Sequence, residues 1–166
     1  HIAQDRVVFD KKEGASFELS EAQQKAFLSI QENLELFDVT LLQGVTASGK
    51  TEIYIKLLEK YMQLEKQVVL LLPEIALTTQ LVQRLTAYFG NEVAVFHSKY
   101  SNNERIEVWN QVLENSPKAK VVIGVRSALF LPFSNLGCII VDEEHEQTYK
   151  QHDPAPRYHA RDAAIV

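Results

Sequence analysis

The chain has 166 residues, 46% hydrophobic and 23% charged, enough for one domain with a single core and without the polar tracts of a disordered segment. Seventeen Lys and Arg against 22 Asp and Glu give a net charge of −5, so no global attraction draws it to nucleic acid and any such contact must be local. No apolar run approaches the roughly 20 residues that cross a bilayer, the N-terminal HIAQDRVVFDKKEG lacks a signal peptide's apolar centre, and the lone Cys138 cannot form an internal disulfide, so a cytoplasmic protein with no membrane partner is expected.

In chain order, residues 1 to 18 are mixed and polar, with Gly14 as a breaker, and read as a lead-in or linker before a domain over 19 to 166. Ser20 followed three residues later by Gln23 is a capping-box pattern, and Ala22, Ala26, Phe27, Ile30 and Leu34 recur at helical spacing. That predicts a helix from about 20 to 36. The apolar run 39 to 43 reads as a strand, followed by a glycine-rich turn and a helix from Lys50 through Met62. Strand 68 to 72, helix 78 to 89, strand 93 to 96, helix 103 to 114, and strands 120 to 125 and 136 to 141 follow.

Fully apolar strands alternating with amphipathic helices predict a three-layer α/β domain, with a mostly parallel sheet and helices on both faces. Right-handed crossovers bring the loops after residues 43, 72, 97, 124 and 141 to one edge, where a ligand should bind. Beyond Val141 the chain turns polar and aromatic, and it stops at Val166 in what reads as the start of another helix, as at a boundary within a longer protein.

GVTASGKT at 44 to 51 matches G-x-x-x-x-G-K-[ST] between a predicted strand and a predicted helix, as a phosphate loop requires. In such a loop the backbone N–H groups of Gly44, Val45, Thr46, Ala47, Ser48 and Gly49 cradle phosphate oxygens, Lys50 bridges the β- and γ-phosphates, and the Thr51 hydroxyl ligates magnesium. Phosphoryl transfer also needs a carboxylate for that magnesium and a group to orient the attacking water. IIVDEEH, an apolar strand ending in Asp142, Glu143, Glu144 and His145, supplies both: Asp142 for the metal and Glu143 for the water.

GVTASGKT and DEEH, with LLPEIALT at 71 to 78, GVRSALF at 124 to 130, and YKQ and PRYHARD between 149 and 162, resemble the primosomal protein N′ (PriA) family of replication-restart helicases, within superfamily 2. The resemblance runs from about residue 19 to the end. It implies a RecA-like, ATP-binding first motor lobe of a 3′-to-5′ DNA helicase that restarts stalled forks, with single-stranded and forked DNA, the primosome and single-strand-binding proteins as partners. By the same resemblance Lys50 and Thr51 meet the phosphates and magnesium, Asp142 holds the metal, Glu143 is catalytic and His145 couples the site to the motor. Gln23 either reads adenine or only caps its helix.

The resemblance further implies DNA contacts from Thr78, Arg126 and Ser127, with Pro73 and Glu74 in the same motif as Thr78. Backbone amides, hydroxyls and one arginine suit strand phosphates, although PEIALT is equally an ordinary loop and helix start. His97 and Ser98 resemble a histidine-serine pair common in the superfamily, or else serve as a helix cap or in a strand-end role. Between 145 and 161 Tyr149 and Tyr158, with Lys150, Arg157 and Arg161 against Glu146 and Asp153, resemble an aromatic-rich loop in which rings stack on bases and cations meet the backbone. A solvated surface loop is the other reading. His145, His152 and His159 have no accompanying cysteine pair, so no zinc is expected in this chain. The resemblance implies zinc-binding cysteines only in the missing part of the parent protein.

The resemblance implies that a second lobe completes the site, so this fragment is expected to bind nucleotide weakly without useful hydrolysis or unwinding. A P-loop kinase would want an arginine-bearing lid, and no compact Arg-rich stretch follows the helices. A GTPase needs N-K-x-D, and none occurs. A lobe acting only as a docking surface remains if Lys50 proves dispensable.

Overall fold

Four runs of Val, Ile and Leu form one parallel sheet: β1 (Gln67–Leu71), β2 (Val93–Phe96), β3 (Val121–Gly124) and β4 (Leu136–Val141), in the order β2-β3-β1-β4. This computed structural model describes residues 17–44, 49–97, 99–153 and 155–166. Every position of β1 and β3 is buried, as the period-2 pleat requires of interior strands covered on both faces. Val68 and Leu70 point to one core, with Ile30, Ile53, Ile55, Leu58, Leu85 and Ile123. Val69 and Leu71 point to the other, with Phe96, Val108, Val112, Val122, Ala128 and Tyr149.

Helices α1 (Glu21–Leu36), α2 (Lys50–Gln63) and α3 (Thr79–Phe89) cover the first face, and α4 (Asn102–Leu113) and the short α5 (Ala160–Ala163) cover the second. The expected three-layer α/β arrangement is therefore present. Their starts follow from local chemistry. Ser20 caps α1 in a capping box with Gln23, Ser101 caps α4 in one with Glu104, and the Thr78 hydroxyl accepts from Leu81 N at the start of α3.

One expected element is not a strand. Residues 39 to 43 join no ladder among the described residues, and β4 is an edge strand there, paired with β1. Hydrophobic pattern reports burial, whereas a strand also needs a partner for its backbone groups. Only Leu42 packs against the core, while Val39 and Leu41 stay exposed. All four strands run the same way, so their C-terminal ends, and the residues that follow them, share one edge.

Candidate functional site

At that edge α2 begins directly after Gly49, whose φ of 81° is the left-handed conformation glycine adopts freely. A Cβ there would also lie 2.3 Å from Gln23 Nε2. Lys50 is the first residue of α2, and its ammonium reaches Glu143 Oε1 at 2.9 Å and the Gly44 carbonyl at 3.2 Å. Glu143 stands two residues past β4 with a left-handed φ of 48°, which costs an L residue on the order of 1 kcal/mol. Its second oxygen lies 3.6 Å from His145 Nε2, an ion pair when that imidazole is protonated. The lysine and the acidic run expected to act together are thus in direct contact. Val45, Thr46, Ala47 and Ser48 lie outside the described residues.

Two tyrosines grip Asp142. The Tyr54 hydroxyl, one turn along α2, donates to Asp142 Oδ1 at 2.8 Å. The Tyr149 hydroxyl contacts the carbonyls of Asp142 at 2.6 Å and Leu71 at 3.0 Å. Burial, then the Asp142 carboxylate, pushes both phenols well above their ordinary value, so both remain donors. Glu144 is held by Arg161 at 2.8 Å.

Thr51 in the first turn of α2 and Asp142 after β4 offer hard oxygen donors, which suit magnesium. Among the described residues no cluster of three or more His, Cys, Asp or Glu forms a metal cage. Magnesium needs none, since it is usually held by one or two carboxylates together with substrate phosphates.

Gln23 does two jobs at once. Its Oε1 accepts from Ser20 N at 2.8 Å, closing the capping box, while Nε2 donates to the Gly49 carbonyl at 3.1 Å. Beside it opens a cleft of about 510 Å³ lined by Phe17, Glu18, Ser20, Gly49, Glu52, Arg84 and Tyr88. Phe17 meets Tyr88 edge-to-face at 5.4 Å, and Arg84 pairs with Glu52. Sequence motifs alone did not single out Phe17, Glu52, Tyr54, Arg84 or Tyr88; the only available signal was that Tyr54 follows Thr51 by three residues on one helix.

The residues expected to meet DNA divide. Thr78 is exposed but its oxygen is engaged as the α3 cap. Arg126, two residues past β3, donates through one terminal nitrogen to the carbonyls of Thr148 at 3.1 Å and Lys150 at 3.0 Å. It therefore clasps the segment after β4. Ser127 lines an apolar groove with Phe96, Arg105, Trp109 and Phe130. His97 Nδ1 accepts from Lys99 N at 2.9 Å, a strand-end cap, and burial lowers its pKa; Ser98 lies outside the described residues.

Tyr149 departs from the stacking reading. It is 1% exposed, packed in the second core and anchored through its hydroxyl, so neither face of its ring is open to a base. Aromatic and cationic composition cannot tell a ring on the surface from one facing inward. Lys150 and Arg157 are exposed, and Tyr158 is half-buried with its ring edge-on to Phe130 at 4.9 Å. A backbone bridge between Lys150 and His159 closes this loop.

A sequence profile for the DEAD/DEAH box helicase family matches residues 20–163. The chain is similar to Replication restart protein PriA of Bacillus subtilis (strain 168), 47% identical over 149 residues, covering 89% of this chain and 18% of that protein. Its similarity to the protein of the same name from Haemophilus influenzae is 53% over 130 residues, 78% of this chain and 17% of the other. For Rickettsia conorii the figures are 47% over 149 residues, 90% and 22%. The chain thus spans about a fifth of the length of the curated relatives it matches.

Proposed function

This chain belongs to the DEAD/DEAH box helicase family, and from that premise we propose that it is the first motor lobe, residues 19 to 166, of a 3′-to-5′ DNA helicase that restarts stalled replication forks and loads the primosome. The family uses ATP and magnesium. The observation that carries the reading for this chain is the 2.9 Å contact of Lys50 with Glu143, which joins the phosphate-loop motif to the acidic run at one edge of the sheet.

In the proposed mechanism the loop from Gly44 to Gly49 and the first turn of α2 receive the triphosphate, with the N–H groups and positive end of the helix aimed at its oxygens. Lys50 leaves Glu143 and meets the β- and γ-phosphates. Thr51 and Asp142 would hold a magnesium ion, which when bound would supply charge neutralisation at the phosphates. Glu143, released from Lys50, orients a water and accepts its proton as that oxygen attacks the γ-phosphorus, while the bond from that phosphorus to the bridging oxygen of the β-phosphate breaks and ADP leaves with the electron pair. His145 beside Glu143 relays the state of the site. Gln23, Phe17 and Tyr88 line the place for the base.

Thr78, Arg126, Ser127, Lys150, Arg157 and Tyr158 are the proposed DNA contacts, binding a single strand or fork without reading sequence. Single-strand-binding proteins and the primosome are the proposed partners, zinc belongs to the remainder of the parent, and the setting is the cytoplasm. No helix among the described residues is long and apolar enough to cross a membrane.

The test is strand displacement by the full-length protein on partial duplexes with a 3′ or a 5′ loading tail, beside this 166-residue chain alone. Unwinding by the full-length protein from the 3′ tail, with the single lobe silent, is expected. Unwinding from the 5′ tail, or by the lobe alone, contradicts the reading.

A further inference from the structure

Tyr54 lies outside both motifs: the phosphate-loop pattern ends at Thr51 and the acidic run starts at Asp142. Its position three residues after Thr51 on α2 puts the two side chains on one helix face. The ring is buried in the first core and the hydroxyl emerges to donate to Asp142 Oδ1 at 2.8 Å. A carboxylate that ligates a small hard cation binds it best when its orientation is set beforehand, and partners of ligating groups commonly supply that orientation.

We propose that Tyr54 is a positioning residue that orients the Asp142 carboxylate for magnesium and ties it to the helix bearing Lys50 and Thr51. This rests on the nucleotide-site reading above. The Asp142 backbone has its own anchor in the Tyr149 hydroxyl, so loss of the Tyr54 hydroxyl releases the carboxylate without releasing the chain. A buried phenol needs an acceptor for its O–H in any protein, and the competing account is that Asp142 merely satisfies Tyr54. Under that account Tyr54→Phe has no effect on magnesium. Under the positioning account magnesium is what the hydroxyl serves.

The experiment uses the full-length protein as wild type, Tyr54→Phe, Asp142→Asn, the double variant and Lys50→Ala. Binding of a fluorescent ATP analogue is titrated with magnesium and in EDTA, alongside ATP turnover and the thermal midpoint. Tyr54→Phe is expected to raise the magnesium midpoint about tenfold and leave EDTA binding unchanged, and to add nothing in the Asp142→Asn background. A wild-type magnesium midpoint, an equal loss with and without magnesium, additive effects in the double variant, or a Tyr54→Phe protein that does not fold each overturn the role. Turnover surviving Lys50→Ala instead sinks the nucleotide-site reading itself, a result distinguishable from failure of the Tyr54 role alone.

Discussion

Lys50 and Glu143, 93 positions apart in sequence, form an ion pair at 2.9 Å between the first turn of α2 and the turn after β4. In the proposed mechanism Lys50 must leave Glu143 to meet the phosphates, so nucleotide binding would compete with the pair. Glu143→Gln removes that competition together with the proton acceptor. The full-length variant is predicted to bind a fluorescent ATP analogue at least as tightly as wild type while its turnover falls by about a hundredfold or more. Wild-type turnover in this variant would contradict the assigned role.

Gln67 governs stability at the opposite end of the sheet. It is 0% exposed, its Nε2 donates to the Val112 carbonyl at 2.8 Å, and its Oε1 accepts from Ser134 N at 3.1 Å and Asn135 N at 3.0 Å. Gln67→Leu keeps most of the bulk and strands three backbone groups. At about 1 kcal/mol or more for each stranded group, the predicted loss is on the order of 3 kcal/mol, read by urea denaturation. A loss below about 1 kcal/mol would mean that water replaces all three partners.

Gly124 ends β3 where the chain enters the short 3-10 helix Arg126–Phe130. A Cβ there would lie 2.4 Å from Ala128 Cβ and 2.7 Å from the Phe96 carbonyl oxygen, neither of which is a flexible side-chain end. Gly124→Ala is predicted to destabilise the domain by about 1 to 3 kcal/mol and to weaken single-stranded DNA binding by the full-length protein, because Arg126 and Ser127 ride on the displaced segment. Unchanged stability would show that β2 and the 3-10 helix separate freely.

Burial pushes the Cys138 thiol from its ordinary 9.0 up to about 11. The folded state therefore holds the proton that the unfolded state gives up first. Stability from this group is fully present below pH 9 and is lost as the pH rises through about 11. At pH 8 a disulfide reagent is predicted to label native Cys138 far more slowly than the urea-unfolded chain. Equal rates would contradict the shift.

Much of the fold is legible in the sequence because burial and pairing coincide there. Val93–Phe96 and Leu136–Val141 stand where the apolar runs predict strands, and Ser20 and Thr78 cap the helices they precede. Legibility ends where a residue's role depends on what lies across from it. Residues 39 to 43 have a strand's composition but no ladder, and Tyr149 has a stacking aromatic's surroundings but faces inward to two carbonyls. Tyr54 reads as one more core residue of an amphipathic helix until the sheet sets Asp142 beside its hydroxyl. The proximity of Lys50 to Glu143 was inferable only because a parallel sheet gathers strand ends along one edge.

ATP hydrolysis by the full-length protein with and without forked DNA, beside a Lys50→Ala variant, tests most directly whether this lobe is the nucleotide site of a DNA-dependent motor. The account predicts turnover that forked DNA stimulates and that Lys50→Ala abolishes. Turnover indifferent to DNA, or surviving the loss of Lys50, would contradict it.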